Sequence, residues 1–297
     1  MTKILVTGVS GSLGSFLAQK LVANGYEVVG VSRSNPGLEG VSHISHDLTK
    51  PADFHFGKEW TILNCAAITR DGLDPRLEND NCAITATALG IGTGHFIHVS
   101  SSSVYDLSKP SIAVNEDQAT GDYRFLNSYS RSKFASEMQV RDGARGRFMI
   151  LRPHALIGPS DQTLAPRVRR AIRNGTLLLP GGGKAVHEFT SFENFNSIVQ
   201  LGIDALNAGY AGNRAFNVSD GVATPIREAI RNGLGDEAPE IKSIPVDLAL
   251  AFARLSELVS KAGSEPRFSR YQLAQLAFDR TYDLTAARST LGYEPVT

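Results

Sequence analysis

Three glycines at three-residue intervals constrain the N-terminal segment more than any other feature of the chain. Gly8, Gly11 and Gly14 follow an apolar run at 4–6 and lead into a stretch whose apolar residues recur at helical spacing. Glycine allows a sharp turn and a close approach between backbones that a side chain would prevent. The segment therefore predicts a strand, a tight turn and an amphipathic helix that ends before Gly25.

Through the first half of the chain, short β-branched runs alternate with helical stretches. This alternation predicts an α/β fold with a Rossmann-like, doubly wound parallel sheet built from right-handed crossover units. The predicted strands cover residues 3–7, 27–31, 41–46, 61–64, 96–100 and 148–151. Beyond Pro153 the alternation weakens, and prolines and glycines interrupt shorter segments. We therefore expect a first domain at 1–157, rejoined by about 187–218, and a smaller, partly interleaved C-terminal α/β lobe at 158–186 and 219–297.

The composition excludes several classes of partner. The 297 residues include 30 basic and 30 acidic side chains, so the net charge does not favour binding to nucleic acid. No apolar run of about 18 residues predicts a membrane span, and the N-terminus lacks the pattern of a secretory leader. The two cysteines, Cys65 and Cys82, lack metal-ligand spacing. We expect a cytoplasmic protein with reduced thiols, no metal and a small-molecule partner.

The glycine turn has the features of a phosphate-binding site. Gly8 and Gly11 let the backbone approach a pyrophosphate, and Gly14 lets the helix pack close to the strand. The start of the helix adds unpaired N–H groups and the positive end of the helix dipole. The position of the turn between a strand and an amphipathic helix favours dinucleotide binding over a plain turn. The expected cofactor ligands at the turn are Gly8, Ser10, Gly11, Ser12, Leu13 and Gly14.

The end of the second strand predicts which nicotinamide dinucleotide is bound. An acidic side chain about 20 residues past the turn would bind the ribose hydroxyls of NAD. Ser32 and Arg33 stand at that place instead. A hydroxyl followed by a guanidinium can bind a 2′-phosphate, which a carboxylate would repel. We therefore expect NADP rather than NAD.

Further cofactor contacts are expected where other strands end. The residues after the third strand would meet the adenine, and the small residues after the fourth strand leave room for the dinucleotide to cross the sheet. Small residues at a strand end also serve packing, which is the alternative interpretation. The predicted contacts are Asp47, Leu48, Cys65, Ala66, Ala67 and Pro153.

A tyrosine and a lysine lie four residues apart in a stretch of helical character. Tyr129 and Lys133 therefore share one helix face, and a run of four serines at 100–103 ends the fifth strand. A free phenol, with a pKa near 10, is mostly protonated at neutral pH, and a nearby cation favours the phenolate. The pair predicts proton transfer that accompanies hydride transfer at a carbonyl, with a serine hydroxyl donating to the substrate oxygen. Both residues are also expected to contact the cofactor. For such a pair alone, an exposed tyrosine and lysine on a solvated helix is the alternative.

Together these residues resemble the extended short-chain dehydrogenase/reductase family, which includes NAD(P)-dependent epimerases, dehydratases and sugar-nucleotide reductases. The family places its catalytic hydroxyl four residues before the tyrosine of a Val-Tyr pair, here Val104 and Tyr105, and this spacing selects Ser101. Further matches are Asn81 with Thr85, Leu151-Arg152-Pro153, Phe216-Asn217-Val218 and Leu291-Gly292-Tyr293-Glu294-Pro295. The resemblance implies a nucleotide-binding lobe fused to a smaller substrate lobe, and a homodimer. It also implies that Asn81 is either structural or part of a proton relay.

Departures from the family pattern bear on the substrate. Family dehydratases carry an Asp-Glu pair directly after the catalytic hydroxyl, where this chain has Ser102 and Ser103. Nucleotide-sugar members often have an arginine where this chain has His187. The departures disfavour dehydration and weaken the case for a nucleotide diphosphate. The expected substrate contacts are Thr69, Ser102, Ser103, His154 and His187.

The leading hypothesis is an NADPH-dependent ketoreductase of a keto-sugar, free or nucleotide-linked. In it Tyr129 is the general acid/base, Ser101 orients the substrate oxygen and Lys133 tunes Tyr129. An NAD-retaining sugar-nucleotide epimerase is the first alternative. A dehydrogenase of an apolar alcohol or ketone stays open, because the apolar stretch at 246–258 could line a pocket, and so does a protein that senses NADP(H) without catalysis. A basic cluster that includes Arg167 could meet an anionic substrate or form a solvated helix face.

Overall fold

The structure is a computed structural model that describes residues 2–162, 164–260, 266 and 268–296. Its strands, numbered in chain order, are β1 Lys3–Thr7, β2 Glu27–Ser32, β3 Val41–Ser45, β4 Trp60–Asn64, β5 Phe96–Val99, β6 Ser111–Val114, β7 Phe148–Pro153, β8 Leu156–Ile157, β9 Thr176–Pro180, β10 Val186–Glu188, β11 Thr190–Ser191, β12 Arg214–Val218, β13 Ala223–Pro225, β14 Glu240–Ile244 and β15 Arg280–Tyr282. Its helices are α1 Ser12–Ala23, α2 Pro75–Gly90, α3 Ser128–Gly143, α4 Leu164–Ala171, α5 Phe192–Ala208, α6 Ile226–Leu234, α7 Val246–Val259, α8 Arg270–Ala277 and α9 Thr285–Leu291. Short 3₁₀ turns lie at Ser102–Val104, Glu116–Gln118, Gly181–Gly183 and Gly235–Glu237.

A large parallel sheet confirms the predicted α/β architecture. Seven of the described strands form it in the order β12-β7-β5-β4-β1-β2-β3. All six predicted strands belong to this sheet, with ends within two residues of the prediction. The chain runs outward from β1 to β3 and then continues on the other side of β1 with β4. This reversal of strand order opens a crevice at the carboxyl ends of β1 and β4, where doubly wound folds bind ligands.

Helices cover both faces of the large sheet, which explains why its central strands are apolar. Every residue of β4 and β7 is buried, as expected for parallel strands with helices on both sides. Residues of α1 and α5 belong to one apolar core, and residues of α2 and α3 belong to another. The predicted first helix is confirmed: α1 ends at Ala23, and Gly25 follows with a φ of 80°.

Smaller sheets are built from strands on either side of β12 along the chain. One has the order β13-β10-β15-β6, and β9 pairs with β14 in parallel. The chain therefore passes back and forth between the large sheet and the smaller ones. The domain boundaries expected at 157, 187 and 218 stay a prediction. Among the helices of the described ranges, none has both the length and the apolar character that a membrane crossing requires.

Candidate active site

The glycine turn lies beside β1 and β4 in a conformation that only glycine fits. Gly8 has a φ of +69°, and a Cβ at this position would lie 2.8 Å from the Cα of Ala66. A Cβ on Gly14 would overlap the carbonyl oxygen of Gly8. Gly11 stands directly before α1 in an extended conformation. The turn thus offers bare backbone at the start of a helix whose first N–H groups lack intrahelical partners, and these features fit the pyrophosphate of a dinucleotide.

The remaining residues predicted at the turn differ in their surroundings. Ser10 is exposed, whereas Leu13 is partly buried and packs against the apolar core beneath α1. The hydroxyl of Ser12 donates a hydrogen bond to the backbone carbonyl of Ser160, in the segment after β8. Ser12 therefore connects the turn to the smaller sheets.

The end of β2 combines a buried hydroxyl with an exposed guanidinium. Ser32 is buried, and its Oγ donates to the carbonyl of Ser34 at 2.9 Å and lies 3.0 Å from Nε2 of His43. Arg33 is exposed. Sequence reasoning missed His43, because its contact with Ser32 depends on the register between β2 and β3. Ser32 is therefore held in place by its neighbours, and Arg33 is the charged group that faces solvent.

The other predicted cofactor contacts lie at the carboxyl ends of their strands. Asp47 accepts hydrogen bonds from the backbone N–H and the hydroxyl of Thr49, and these bonds hold the pKa of its carboxyl below the usual range. Leu48 is buried in the apolar core, so its side chain serves packing. The residues after β4 are half-buried, and Pro153 is buried as the last residue of β7.

The structure brings Ser101 and Tyr129 together, although they lie on different elements. Ser101 follows β5, and its Oγ accepts a hydrogen bond from the backbone N–H of Ser103 at 3.1 Å. Tyr129 lies in the first turn of α3. Burial raises the pKa of the Tyr129 phenol, whereas a hydrogen bond with Ser101 and the charge of Arg167 act to lower it. The phenol is therefore protonated at neutral pH and available as a proton donor.

Lys133 lies one helical turn beyond Tyr129 and is almost completely buried. Its Nζ donates to the carbonyl oxygen of Val99 at 2.7 Å and lies 6.0 Å from the centre of the Tyr129 ring. Burial lowers the pKa of the ammonium to about 8, and the negative charge of Glu137 acts in the opposite direction. The ammonium is thus anchored to the end of β5 and faces the aromatic ring.

Neutral groups surround Lys133 on the sheet side. Burial raises the pKa of the Cys65 thiol to about 12 and lowers the pKa of His98 well below its usual value. Cys65 and Cys82 are both free thiols, as expected. The ammonium therefore lies among uncharged side chains at the ends of β4 and β5.

A buried chain of hydrogen bonds runs from Ser102 through two histidines. Ser102 Oγ lies 2.8 Å from Nδ1 of His154, whose Nε2 lies 3.0 Å from Nδ1 of His187. Nε2 of His187 lies 3.2 Å from the carbonyl oxygen of Phe278. Because a carbonyl only accepts, both histidines donate toward Phe278, and Ser102 donates to His154. Burial lowers the pKa of both imidazoles, that of His187 to about 4, so this chain is uncharged at neutral pH.

The predicted substrate residues therefore fall into two groups. Ser102, His154 and His187 are buried and bind one another, whereas Thr69 is exposed in the loop after β4. Ser103 is buried, and its hydroxyl has no hydrogen-bond partner within the described part of the chain.

Asn81 is occupied by structural contacts. Its Oδ1 accepts from the backbone N–H of Ile68 at 2.7 Å, and its Nδ2 donates to the carbonyl of Ile68 at 3.0 Å and to Oγ of Ser132 at 2.9 Å. These bonds connect the loop after β4 to α2 and α3. Of the two roles that the family resemblance allowed for Asn81, the structural role fits these contacts.

Comparisons with known proteins find a family profile, relatives and solved structures that are similar to this chain. The sequence profile described as the NAD dependent epimerase/dehydratase family matches residues 4–219. The 2-alkyl-3-oxoalkanoate reductase of Stenotrophomonas maltophilia (strain K279a) is 30% identical, over 99% of this chain and 94% of that protein. The decarboxylating sterol-4-alpha-carboxylate 3-dehydrogenase of Mus musculus is 26% identical, over 99% of this chain and 87% of that protein. The solved structure of MoeE5 in complex with UDP-glucose and NAD has a TM-score of 0.71 and 21% identity, over 99% of this chain and 94% of that one, and it supports the fold.

Proposed function

Since the chain belongs to the NAD dependent epimerase/dehydratase family, whose members are NAD(P)-dependent oxidoreductases and epimerases, we propose that it reduces a ketone with NADPH. One observation carries this proposal. Ser101, directly after β5, lies close to Tyr129 and Lys133, which belong to the first two turns of α3. The phenol contacts the serine hydroxyl, and the buried ammonium faces the phenol ring. A bound nicotinamide dinucleotide would supply the hydride.

The residues of the site supply the proton and the oxygen contact. Tyr129 donates its phenolic proton to the carbonyl oxygen of the substrate as negative charge develops there. Ser101 donates a hydrogen bond to the same oxygen and holds it toward the phenol. Lys133 stabilises the phenolate that remains after proton transfer, because it is positively charged below a pH of about 8.

Recognition of NADP is proposed for the end of β2. Arg33 is exposed there, and no acidic side chain occupies positions 32–34. A guanidinium binds a phosphate through charge-assisted hydrogen bonds. Ser32 contributes through the backbone it holds in place, since its hydroxyl is engaged with Ser34 and His43.

We propose a ketone on a largely apolar alkyl or sterol skeleton as the substrate class, ahead of the keto-sugar that the motifs alone favoured. His154 and His187 are neutral, so they supply no positive charge where nucleotide-sugar members of the family often have an arginine. The two relatives named above act, by their names, on alkyl ketoacids and sterols, and both match nearly the whole chain. On α7, Phe252 and Leu255 expose more than half of their surface and give the chain an apolar face. The keto-sugar substrate stays a prediction.

A substrate panel tests the proposal. The purified protein is mixed with NADPH or NADH and with an alkyl 3-ketoacid, a 3-ketosteroid or a UDP-4-keto-sugar, and the loss of absorbance of the reduced cofactor is followed. We expect turnover with NADPH and with the alkyl 3-ketoacid or the 3-ketosteroid. Tyr129→Phe is expected to lose at least about a hundredfold in turnover while it keeps its affinity for NADPH, because the general acid is removed.

Tyr26→Phe is the matched control, since Tyr26 lies between α1 and β2, away from the site. Equal turnover in Tyr129→Phe and Tyr26→Phe would contradict the role of Tyr129. Stoichiometric NAD retained by the purified protein would favour the epimerase alternative. NADPH binding with no turnover of any ketone would favour the sensing alternative.

A further inference from the structure

A single carboxylate connects the two elements that carry the catalytic residues. Glu137 lies on α3, one turn beyond Lys133, and it is fully buried. Its Oε1 accepts a hydrogen bond from Oγ of Ser100 at 2.6 Å. Ser100 directly precedes Ser101, so the carboxylate reaches from the catalytic helix to the strand end that carries the catalytic hydroxyl.

A second contact between the same two elements lies one turn away. Val99, directly before Ser100, accepts the hydrogen bond from Nζ of Lys133 at 2.7 Å. Two consecutive residues at the end of β5 are therefore held by two consecutive turns of α3. Two contacts of this kind restrict both the sliding and the rotation of the helix against the strand. They also restrict the approach of Tyr129 to Ser101.

The carboxylate is itself fixed by a buried arginine. Arg152, at 2% exposure, donates from Nε and from a terminal nitrogen to the two oxygens of Glu137, at 2.9 and 2.7 Å. Its other terminal nitrogen donates to the hydroxyl of Tyr105 at 3.0 Å and to the carbonyl of Glu116 at 2.8 Å. Nε and both terminal nitrogens of Arg152 take part in these hydrogen bonds, so the orientation of the guanidinium is fixed. Because the pair with Glu137 is bidentate, the carboxylate also has little freedom to move.

We propose that Glu137 is a positioning residue of the active site. Through Ser100 and Arg152 it sets the register of α3 against β5, and it places a negative charge one helical turn from Lys133 on the same helix. This inference uses the proposed reductase activity as one readout, but the contacts on which it rests involve only the residues of this chain.

The charged and titratable groups around these side chains are consistent with this role. Lys133 faces the Cys65 thiol at the end of β4, the His98 imidazole on β5 and the Tyr129 ring on its own helix. The thiol and the imidazole are neutral, so Glu137 supplies the negative charge that opposes the effect of burial. Around Glu137 itself lie Arg152, Tyr105 and Tyr123, and the Glu116 carboxylate interacts with Arg152.

Glu137→Gln tests the electrostatic part of the role. Glutamine keeps the shape and an acceptor oxygen, but it removes the charge. We expect the pKa of Lys133 to fall below its value in the unmodified protein, because the negative charge one helical turn away is gone. The titration is followed by the ¹³Cε resonance of Lys133 in lysine-labelled protein, assigned by its absence from Lys133→Met. The alkaline limb of the pH profile of kcat is expected to move in the same direction.

Ser100→Ala tests the positional part and leaves the ion pair intact. We expect kcat to fall about tenfold with the Kd for NADPH within about twofold, because a small displacement between reacting groups lowers the rate without loss of binding. The ¹³Cζ resonance of Tyr129 is expected to shift as its contact with Ser101 changes. Ser136→Ala is the matched control: it removes a buried hydroxyl next to Glu137 that bonds Thr85 at 3.0 Å, and it should leave kcat and the Tyr129 resonance unchanged.

The two variants can overturn the inference separately. An unchanged titration of Lys133 in Glu137→Gln would remove the electrostatic role. If kcat and the Tyr129 resonance of Ser100→Ala equal those of the unmodified protein, the positional role is excluded. Ser100→Ala tests this role even if Glu137→Gln does not fold. If the unmodified protein has no ketoreductase activity, the proposed function fails, while the two resonances still decide the role of Glu137.

Discussion

Lys133→Met is expected to stabilise the protein at neutral pH while it abolishes the proposed activity. In the fold the pKa of Lys133 is about 8, against a usual value of 10.5. Each pKa unit corresponds to about 1.4 kcal/mol, so keeping this ammonium buried costs the folded state about 3 kcal/mol at pH 7. Loss of the hydrogen bond to Val99 offsets about 1 kcal/mol of the gain from its removal. The net gain of about 2 kcal/mol corresponds to about 3 °C in Tm for a chain of this length.

The gain has a defined dependence on pH. Between pH 8 and pH 10.5 the unfolded chain binds more protons at Lys133 than the folded chain does, so the stability of the unmodified protein rises with pH in this range. Methionine has no proton to exchange. The advantage of Lys133→Met should therefore be largest below pH 8 and shrink by about 3 kcal/mol as the pH approaches 10.5.

Thermal unfolding of both proteins at pH 7, 8.5 and 9.5 measures this difference. Lys184→Met, at an exposed lysine, is the control, and its effect on Tm should be the same at all three pH values. A Tm difference between Lys133→Met and the unmodified protein that does not change with pH would refute the reasoning. So would a variant that is less stable at pH 7.

Three further predictions concern the cofactor turn, the end of β2 and the histidine chain. Arg33→Ala is expected to lower the preference for NADPH over NADH in kcat/KM by about 10- to 100-fold, because a hydrogen bond between charged groups contributes about 1.5–3 kcal/mol; steady-state kinetics with both cofactors would show an unchanged ratio if NADP recognition lies elsewhere. Gly14→Ala should lower Tm and weaken NADPH binding, since its Cβ would overlap the carbonyl of Gly8, whereas Gly90→Ala, with nothing within 4 Å of its Cβ, should do neither; equal melting curves for the two variants would contradict the close packing. His187→Phe should reduce the loss of stability in acid. The pKa of His187 is about 4 in the folded protein against a usual 6.5, so the unfolded chain binds a proton at this imidazole at a higher pH than the folded chain does. The free energy of unfolding of the unmodified protein therefore falls as the pH falls from about 6.5 toward 4. Urea unfolding at pH 7 and 4.5 measures this loss, and an identical loss in His187→Phe would exclude the histidine as its source.

The sequence predicts the features of this protein that depend on neighbours along the chain. Alternation of apolar runs and helical spacing placed the central strands within two residues of their observed ends. Tyr129 and Lys133 share a face because they lie one turn apart on a single helix. Ser101 was selected by its position after a strand and by the family spacing. These relations are local, so periodicity and spacing are sufficient to find them.

Contacts between distant parts of the chain were not predictable in this way. Ser100 and Glu137 are 37 residues apart, and whether a buried glutamate meets a serine or water depends on how α3 packs against β5. The pairing of Ser32 with His43 requires the register of two strands. The contact between His154 and His187 depends on the packing of β10 beside the end of β7, and their role at a substrate stays a prediction.

The late return of the chain to its large sheet has a practical consequence for anyone who divides the molecule. β12 pairs along β7, whose six residues are all buried, and α5 covers the same core. A fragment that stops at 157 would carry all but one strand of the sheet, yet it would end in a bare, apolar edge of the kind that recruits strands from other molecules. Chimeras that exchange the part that carries the large sheet therefore need three crossover points, after residues 157, 191 and 218, so that residues 192–218 travel with residues 1–157.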